Sequence, residues 1–140
     1  TQTAQMAGMV GASRRGRSHA HVGSYRDDAF ALEELADGWQ VLVVADGAGS
    51  ARYSRRGAEL ICQTAASYLR AQLAAPAAAA LSESALAWAA EQNSNALQQR
   101  LKVKLAALLG QAAYQALLAI HSEAASLLGS SAESAAMPPI

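Results

Sequence analysis

The chain has 140 residues, with eleven basic and eleven acidic side chains and a pI near 6.8. This length allows a domain with a buried core, and the absence of net charge argues against a general nucleic-acid-binding protein. Much of the apolar content is alanine, which favours helices. The single cysteine, Cys62, is typical of a reducing cytoplasm, and no apolar run reaches the roughly 18 residues of a membrane span.

The first part of the chain is predicted to form three strands. Residues 6–12 and 29–32 are short apolar runs, and residues 1–5 form a polar start without regular structure. Residues 39–45 are continuously apolar from Val41 onwards, which predicts a strand buried on both faces. Asp37-Gly38 predicts a hairpin turn before this strand, so the second and third strands are expected to pair antiparallel.

After residue 50 the apolar pattern changes to a helical period. A first helix is predicted over about 54–75, ending before Pro76, and residues 76–81 are predicted to be a linker. A second helix, capped by Ser82 or Ser84, carries a leucine stripe to residue 108 with a weak point at 93–95. A third covers about 111–128. Strands followed by helices predict an α+β fold, with antiparallel strands packed against long helices.

Acidic residues stand at the ends of the two paired strands. Asp27 and Asp28 precede the second strand and Asp46 follows the third, so a hairpin would bring these ends together. With the carbonyl of Gly47 they form an all-oxygen set, which suits Mg²⁺ or Mn²⁺ better than zinc. Two such ions can hold a water that attacks a phosphoryl group. Because Asp-Gly pairs are common in ordinary turns, the local pattern leaves a purely structural role equally open.

A phosphate-binding loop is the competing interpretation of Gly47 and Gly49. The dinucleotide fingerprint requires a third glycine, and Arg52 stands at that position. The Gly-Lys-Ser/Thr element of a Walker loop is missing as well. A nucleotide-binding module is therefore weakly supported.

The joint order of these motifs resembles the metal-dependent serine/threonine protein phosphatases of type 2C. The likeness rests on DGAGS after VLVVA, on an acidic pair ahead of an apolar strand, and on a helix that opens with SRRGA. The segment GRSH at residues 16–19, Gly23 and the run Asp28-Ala29-Phe30 resemble the bacterial branch in particular. The resemblance covers about residues 8–75, and the later helices match only in kind.

The resemblance implies an α-β-β-α sandwich and hydrolysis of phosphoserine or phosphothreonine by a metal-activated water. It implies Asp46 and Asp28 as catalytic residues and a site for two Mg²⁺ or Mn²⁺ ions. Asp46 resembles the aspartate that bridges both metals, and Gly47 the residue whose carbonyl binds one of them. Asp28 resembles the acid that holds a metal through water. Asp27 occupies the neighbouring acidic position, which varies within the family.

Two positions depart from the family pattern. Ala48 stands where some members have a histidine, and Gly23 where many have an arginine that grips the phosphate. The candidates left for phosphate binding lie in the basic segment 14–21, chiefly Arg17, His19 and His21. A solvated basic loop is the competing interpretation of that segment.

The sequence has no aspartate after Asp46, whereas the family carries further metal-binding aspartates later in its domain. Residues 1–140 therefore look like a single, incomplete domain, the N-terminal half of such a phosphatase. The resemblance also implies a phosphoprotein substrate, a cognate protein kinase in the same pathway and a cytoplasmic location, with no nucleic-acid or membrane partner. The missing acids favour an alternative, a non-catalytic relative that binds a partner through its helices.

Overall fold

The computed structural model describes residues 2–6, 8–14, 26–35, 38–49, 51–74, 76–91 and 93–135. Within these ranges two antiparallel hairpins precede three α-helices, which confirms the predicted α+β class. The strands are β1 (Gln2–Met6), β2 (Met9–Ser13), β3 (Ala29–Glu34) and β4 (Gln40–Ala45). The helices are α1 (Ser54–Ala74), α2 (Ala79–Ala90) and α3 (Asn95–Ala135).

The predicted hairpin between the second and third strands is present as β3–β4. Its register pairs Ala29 with Ala45 and Leu32 with Leu42. Gly38 has a φ of +80°, a left-handed conformation that a residue with a side chain rarely adopts, and it lies in the turn. Asp37, the other predicted turn residue, lies outside the described residues.

The prediction of one strand over residues 6–12 is wrong, because the chain reverses within it. Gly8 has a φ of +82° and forms the turn between β1 and β2, where Met6 pairs with Met9. The polar start of the chain is thus a strand. The sequence of β1, QTAQM, has no alternating apolar pattern that would predict a strand. Pairing with β2 supplies the hydrogen bonds that hold β1 extended.

Only one face of β4 is buried, contrary to the prediction from its continuous apolar sequence. Val41 and Ala45 are buried, whereas Leu42 and Val44 are 59% and 67% exposed. Helix α1 packs against one face of the β3–β4 hairpin and covers the alternate residues of β4. The apolar run therefore indicates a strand, but it does not establish a second covering layer.

The face of α1 agrees with the sequence pattern. Ala58, Ala65, Leu69 and Leu73, which recur at helical spacing, are buried, and Cys62 is a core residue as well. Burial raises the pKa of the Cys62 thiol, which disfavours a nucleophilic thiolate.

The boundaries of the later helices differ from the predictions. The supposed linker at 76–81 contains a 3₁₀ turn, Pro76–Ala78, followed directly by α2, so neither Ser82 nor Ser84 caps that helix. The weak point at 93–95 is a real break, and the amide of Leu97 donates to Ser94 Oγ just before α3 begins. The predicted division between residues 108 and 111 is wrong, because α3 is continuous for 41 residues. Gly110 lowers helix propensity by about 1 kcal/mol, which the surrounding alanines and leucines tolerate.

Helix α3 lies along α1 and α2 and contributes Leu101, Ala112 and Ala116 to their common core. By length and composition alone, α3 would suffice to cross a membrane over Asn95–Gly129, as would α1 and α2 taken as one bent pair. Apolar helices in the cores of globular proteins meet the same test, but only 11% of the tested window in α3 is buried. A hydrogen bond from Trp39 Nε1 to Ser82 Oγ, 2.9 Å long, ties the start of β4 to α2.

Leu69→Ala should lower the free energy of unfolding by about 2–5 kcal/mol, because it opens a cavity where α1 meets β4 and α3. Leu69 is 5% exposed and belongs to the main core cluster. The measurement is urea unfolding followed by circular dichroism. Leu86→Ala is the matched control, since Leu86 is 71% exposed; equal losses in the two variants would contradict the described core.

Candidate metal centre

The pairing of β3 with β4 places two aspartates at one end of the hairpin. Ala29 and Ala45 form the last residue pair of the ladder, and both are buried against α1. Asp28 directly precedes this pair and Asp46 directly follows it. The two acids that the sequence analysis placed at the strand ends are therefore brought together, as predicted.

The carboxyl groups of Asp28 and Asp46 interact directly. A hydrogen bond between them raises the pKa of Asp46 above its ordinary value, and the negative charge of Asp28 raises it further. Partial desolvation and the charge of Asp27 act in the same direction. Two carboxylates this close repel each other when both are ionised, and a divalent cation between them would relieve that repulsion.

Asp27 occupies a different position from its neighbour. Its Oδ1 accepts a hydrogen bond of 2.8 Å from the hydroxyl of Ser54, the first residue of α1. Its backbone lies against Gly47: a Cβ at position 47 would overlap the carbonyl oxygen of Asp27 and stand 2.9 Å from its carbonyl carbon. Position 47 therefore requires glycine for close packing.

An open cavity of about 750 Å³ lies beside the acids. Asp28 and Asp46 stand among its lining residues, and the exposed face of β4 contributes Leu42 and Val44. The strand β2 forms another part of the wall through Val10 and its neighbours. The carboxylates thus face a space large enough for a bound ion and a phosphorylated side chain.

Two of the described residues would suit part of a metal coordination shell. Asp28 and Asp46 are oxygen donors of the kind that Mg²⁺ and Mn²⁺ prefer, so the pair fits such an ion. Among the described residues, no group of three histidine, cysteine, aspartate or glutamate side chains is placed to hold a metal by itself. Gly47 and water are the further oxygen donors that the pair would need.

The predicted phosphate-binding residues Arg17, His19 and His21 lie outside the described residues. Arg26, which the sequence analysis did not select, directly precedes Asp27, and its buried Nη1 has no hydrogen-bond acceptor in the described part of the chain. Ser54 is the first residue of the family-like motif SRRGA. Its contact with Asp27 spans 27 residues of sequence, and no local pattern predicts it.

The segment after Asp46 folds as consecutive turns. The amide of Ala51 donates to the carbonyl of Ala48, and the amide of Ser54 donates to the carbonyl of Ala51. A phosphate-binding loop would direct such amides at its ligand, so these bonds weaken the nucleotide-binding interpretation.

The arginines that open α1 have partners on the protein surface. Arg55 pairs with Glu59 at 3.0 Å, and Arg56 pairs with Glu123 of α3 at 2.9 Å. The guanidinium of Arg52 lies over the ring of Tyr53, 5.3 Å from its centroid. The side chains of Arg55 and Arg56 are each about half exposed.

Comparison of the sequence with known families shows the family of the chain. The family model described as Protein phosphatase 2C matches residues 15–134. The chain belongs to the protein phosphatase 2C family. No curated protein and no solved structure matches the chain.

The protein phosphatase 2C match extends well beyond residue 75, where the recognisable motifs end, and includes α2 and most of α3. The later helices therefore belong to the family pattern. The two hairpins and the helices on one face are compatible with a mixed fold of this family, while the full α-β-β-α sandwich stays a prediction.

Asp46→Asn should raise the melting temperature of the metal-free protein at pH 7, because it removes the repulsion between Asp46 and Asp28. The sign follows from linkage: a carboxyl whose folded pKa is raised opposes folding at neutral pH. That penalty disappears as the pH falls through the raised pKa and is gone below the ordinary value of 3.8. The difference in melting temperature between wild type and variant should therefore shrink on acidification. The exposed Glu83→Gln is the charge-matched control, and a lower melting temperature for Asp46→Asn would contradict the proximity of the acids.

Gly47→Ala should destabilise the protein, because the new methyl group would displace the backbone of Asp27. Gly110→Ala offers the opposite case: its added methyl group meets open space on a helix, and we expect a gain of about 0.5–1 kcal/mol. Urea unfolding of both variants checks this pair. A Gly47→Ala variant as stable as the wild type would contradict the close packing at Asp27.

Proposed function

We propose that this chain carries the centre of a type 2C-like protein phosphatase that hydrolyses phosphoserine or phosphothreonine without a phosphoenzyme. The observation that supports this most is the Asp28–Asp46 pair, held at the edge of a cavity in a member of the protein phosphatase 2C family.

In this proposal Asp46 and Asp28 hold Mg²⁺ or Mn²⁺, and the carbonyl of Gly47 is a further ligand. When bound, such an ion activates a water for attack and neutralises charge on the phosphoryl group. The chain's own contribution is rigid placement. Both aspartates adjoin the buried Ala29–Ala45 pair, so neither strand end can shift without breaking the packing against α1.

We propose a phosphoprotein substrate and a cognate protein kinase as the opposing enzyme of the same pathway. We also propose a bacterial protein of this family that acts in the cytoplasm, a setting that suits the free thiol of Cys62. We propose that Arg17, His19 and His21 bind the phosphate, because the segment that carries them is rich in basic residues.

A second candidate function is that of a non-catalytic, partner-binding relative. Ala48 stands where a histidine could act as general acid, and Gly23 stands where an arginine could grip the phosphate. Helix α3 exposes several large apolar side chains that a partner could cover: Val103, Leu109, Tyr114, Leu117 and Leu118.

Hydrolysis of an aryl phosphate with Mn²⁺ separates the two functions. The assay compares the chain as wild type and as Asp46→Asn, with Glu83→Gln as control. Loss of one ligand should lower kcat/KM by about 10²-fold or more, the scale of removing one oxyanion-hole donor that stabilises charge in a transition state. Unchanged turnover in Asp46→Asn would contradict the metal site, and no turnover in the wild type would favour the partner-binding function.

A further inference from the structure

We propose that Ser54 is a positioning residue that fixes the carboxylate of Asp27 beside the metal-binding pair. This inference rests on the proposed function, since it assigns a role within the same site. The sequence does not indicate a contact between Ser54 and Asp27, because the two residues are 27 positions apart.

The contact itself is specific. The hydroxyl of Ser54 donates to Asp27 Oδ1 over 2.8 Å, and the pair is partly buried. A hydrogen bond to an ionised carboxylate is about twice as strong as one between neutral groups. The bond joins the segment before β3 to the first turn of α1. These two parts of the chain are far apart in sequence, and the packing of α1 against β3 brings them together.

Asp27 is confined from its backbone side as well. Its carbonyl lies directly against Gly47, where even a methyl group would not fit. The backbone of Asp27 is thereby held by the turn that carries Asp46, while its carboxylate is held by α1. Residues 27 and 28 are consecutive, so fixing Asp27 also limits where Asp28 can stand.

The first turn of α1 gives an independent reason for this contact. It contains no acidic residue, although a helix N-terminus favours negative charge, and it carries Arg55 and Arg56 instead. The carboxylate of Asp27 supplies that negative charge from another element. The same contact therefore places a negative charge beside the helix N-terminus and orients the acid.

The consequence is a division of roles among the three aspartates. Asp28 and Asp46 form the hydrogen-bonded pair, and Asp27 contributes the smallest of the effects on the pKa of Asp46. With Oδ1 engaged by Ser54, the carboxylate of Asp27 is held as a fixed charge near Asp46. Removing the hydroxyl should loosen this arrangement and weaken cation binding.

The test uses Ser54→Ala, Ser54→Thr and the control Ser67→Ala, which removes an exposed hydroxyl from the same helix. Mn²⁺ affinity is measured by calorimetry, and amide hydrogen exchange over residues 26–28 is measured without metal. We expect Ser54→Ala to weaken Mn²⁺ binding by about tenfold, the lower end of the effect of removing an outer-shell partner. Exchange at 26–28 should accelerate in the same variant. Ser54→Thr keeps the hydroxyl and should restore both values.

A double-mutant cycle assigns the effect to Asp27. In an Asp27→Ala background, Ser54→Ala should cause no further loss of Mn²⁺ affinity. An equal tenfold loss in that background, or a Thr variant that behaves like Ala, would overturn the proposal.

Two further outcomes keep the proposals apart. A wild-type chain whose Mn²⁺ binding is absent, or is unchanged by Asp46→Asn, contradicts the metal site itself. Binding that Asp46→Asn weakens and Ser54→Ala leaves unchanged overturns only the role of Ser54.

Discussion

The antiparallel pairing of β3 with β4 is the constraint on which the candidate site depends. Its register sets Ala29 opposite Ala45, so the residues just outside the ladder, Asp28 and Asp46, must meet. Their small, buried neighbours allow α1 to pack closely beneath this end of the hairpin. The carboxyl groups repel each other there, which is the condition under which binding of a divalent cation is most favourable.

Helix α1 connects this site to the rest of the chain. One face covers the inner side of the hairpin and shares a core with α3, while the first turn contacts Asp27 through Ser54. Stability and site geometry are therefore coupled at a single helix. The outer face of β4 has no such cover among the described residues, which leaves Leu42 and Val44 to line the cavity beside the acids.

Sequence reasoning succeeded where a local pattern was strong. The hairpin turn, the face of α1 and the break near residue 94 follow from glycine conformation, helical periodicity and capping. It failed where context decides: β1 is a strand only because β2 pairs with it, and α3 continues through Gly110 because its neighbours favour helix. For the site, strand order predicted that Asp28 and Asp46 meet, but no spacing rule could predict that Ser54 reaches Asp27.

The sequence by itself determined the family, the α+β class and the acids at the strand ends, because these depend on residue type and order along the chain. Only the tertiary structure decided what each acid contacts. Asp28 and Asp46 interact with each other because a fixed register joins them. Asp27 contacts α1 because its backbone lies against Gly47 and its carboxylate accepts a hydrogen bond from Ser54. Contacts between residues far apart in sequence arise from packing, and packing is a property of the folded chain as a whole.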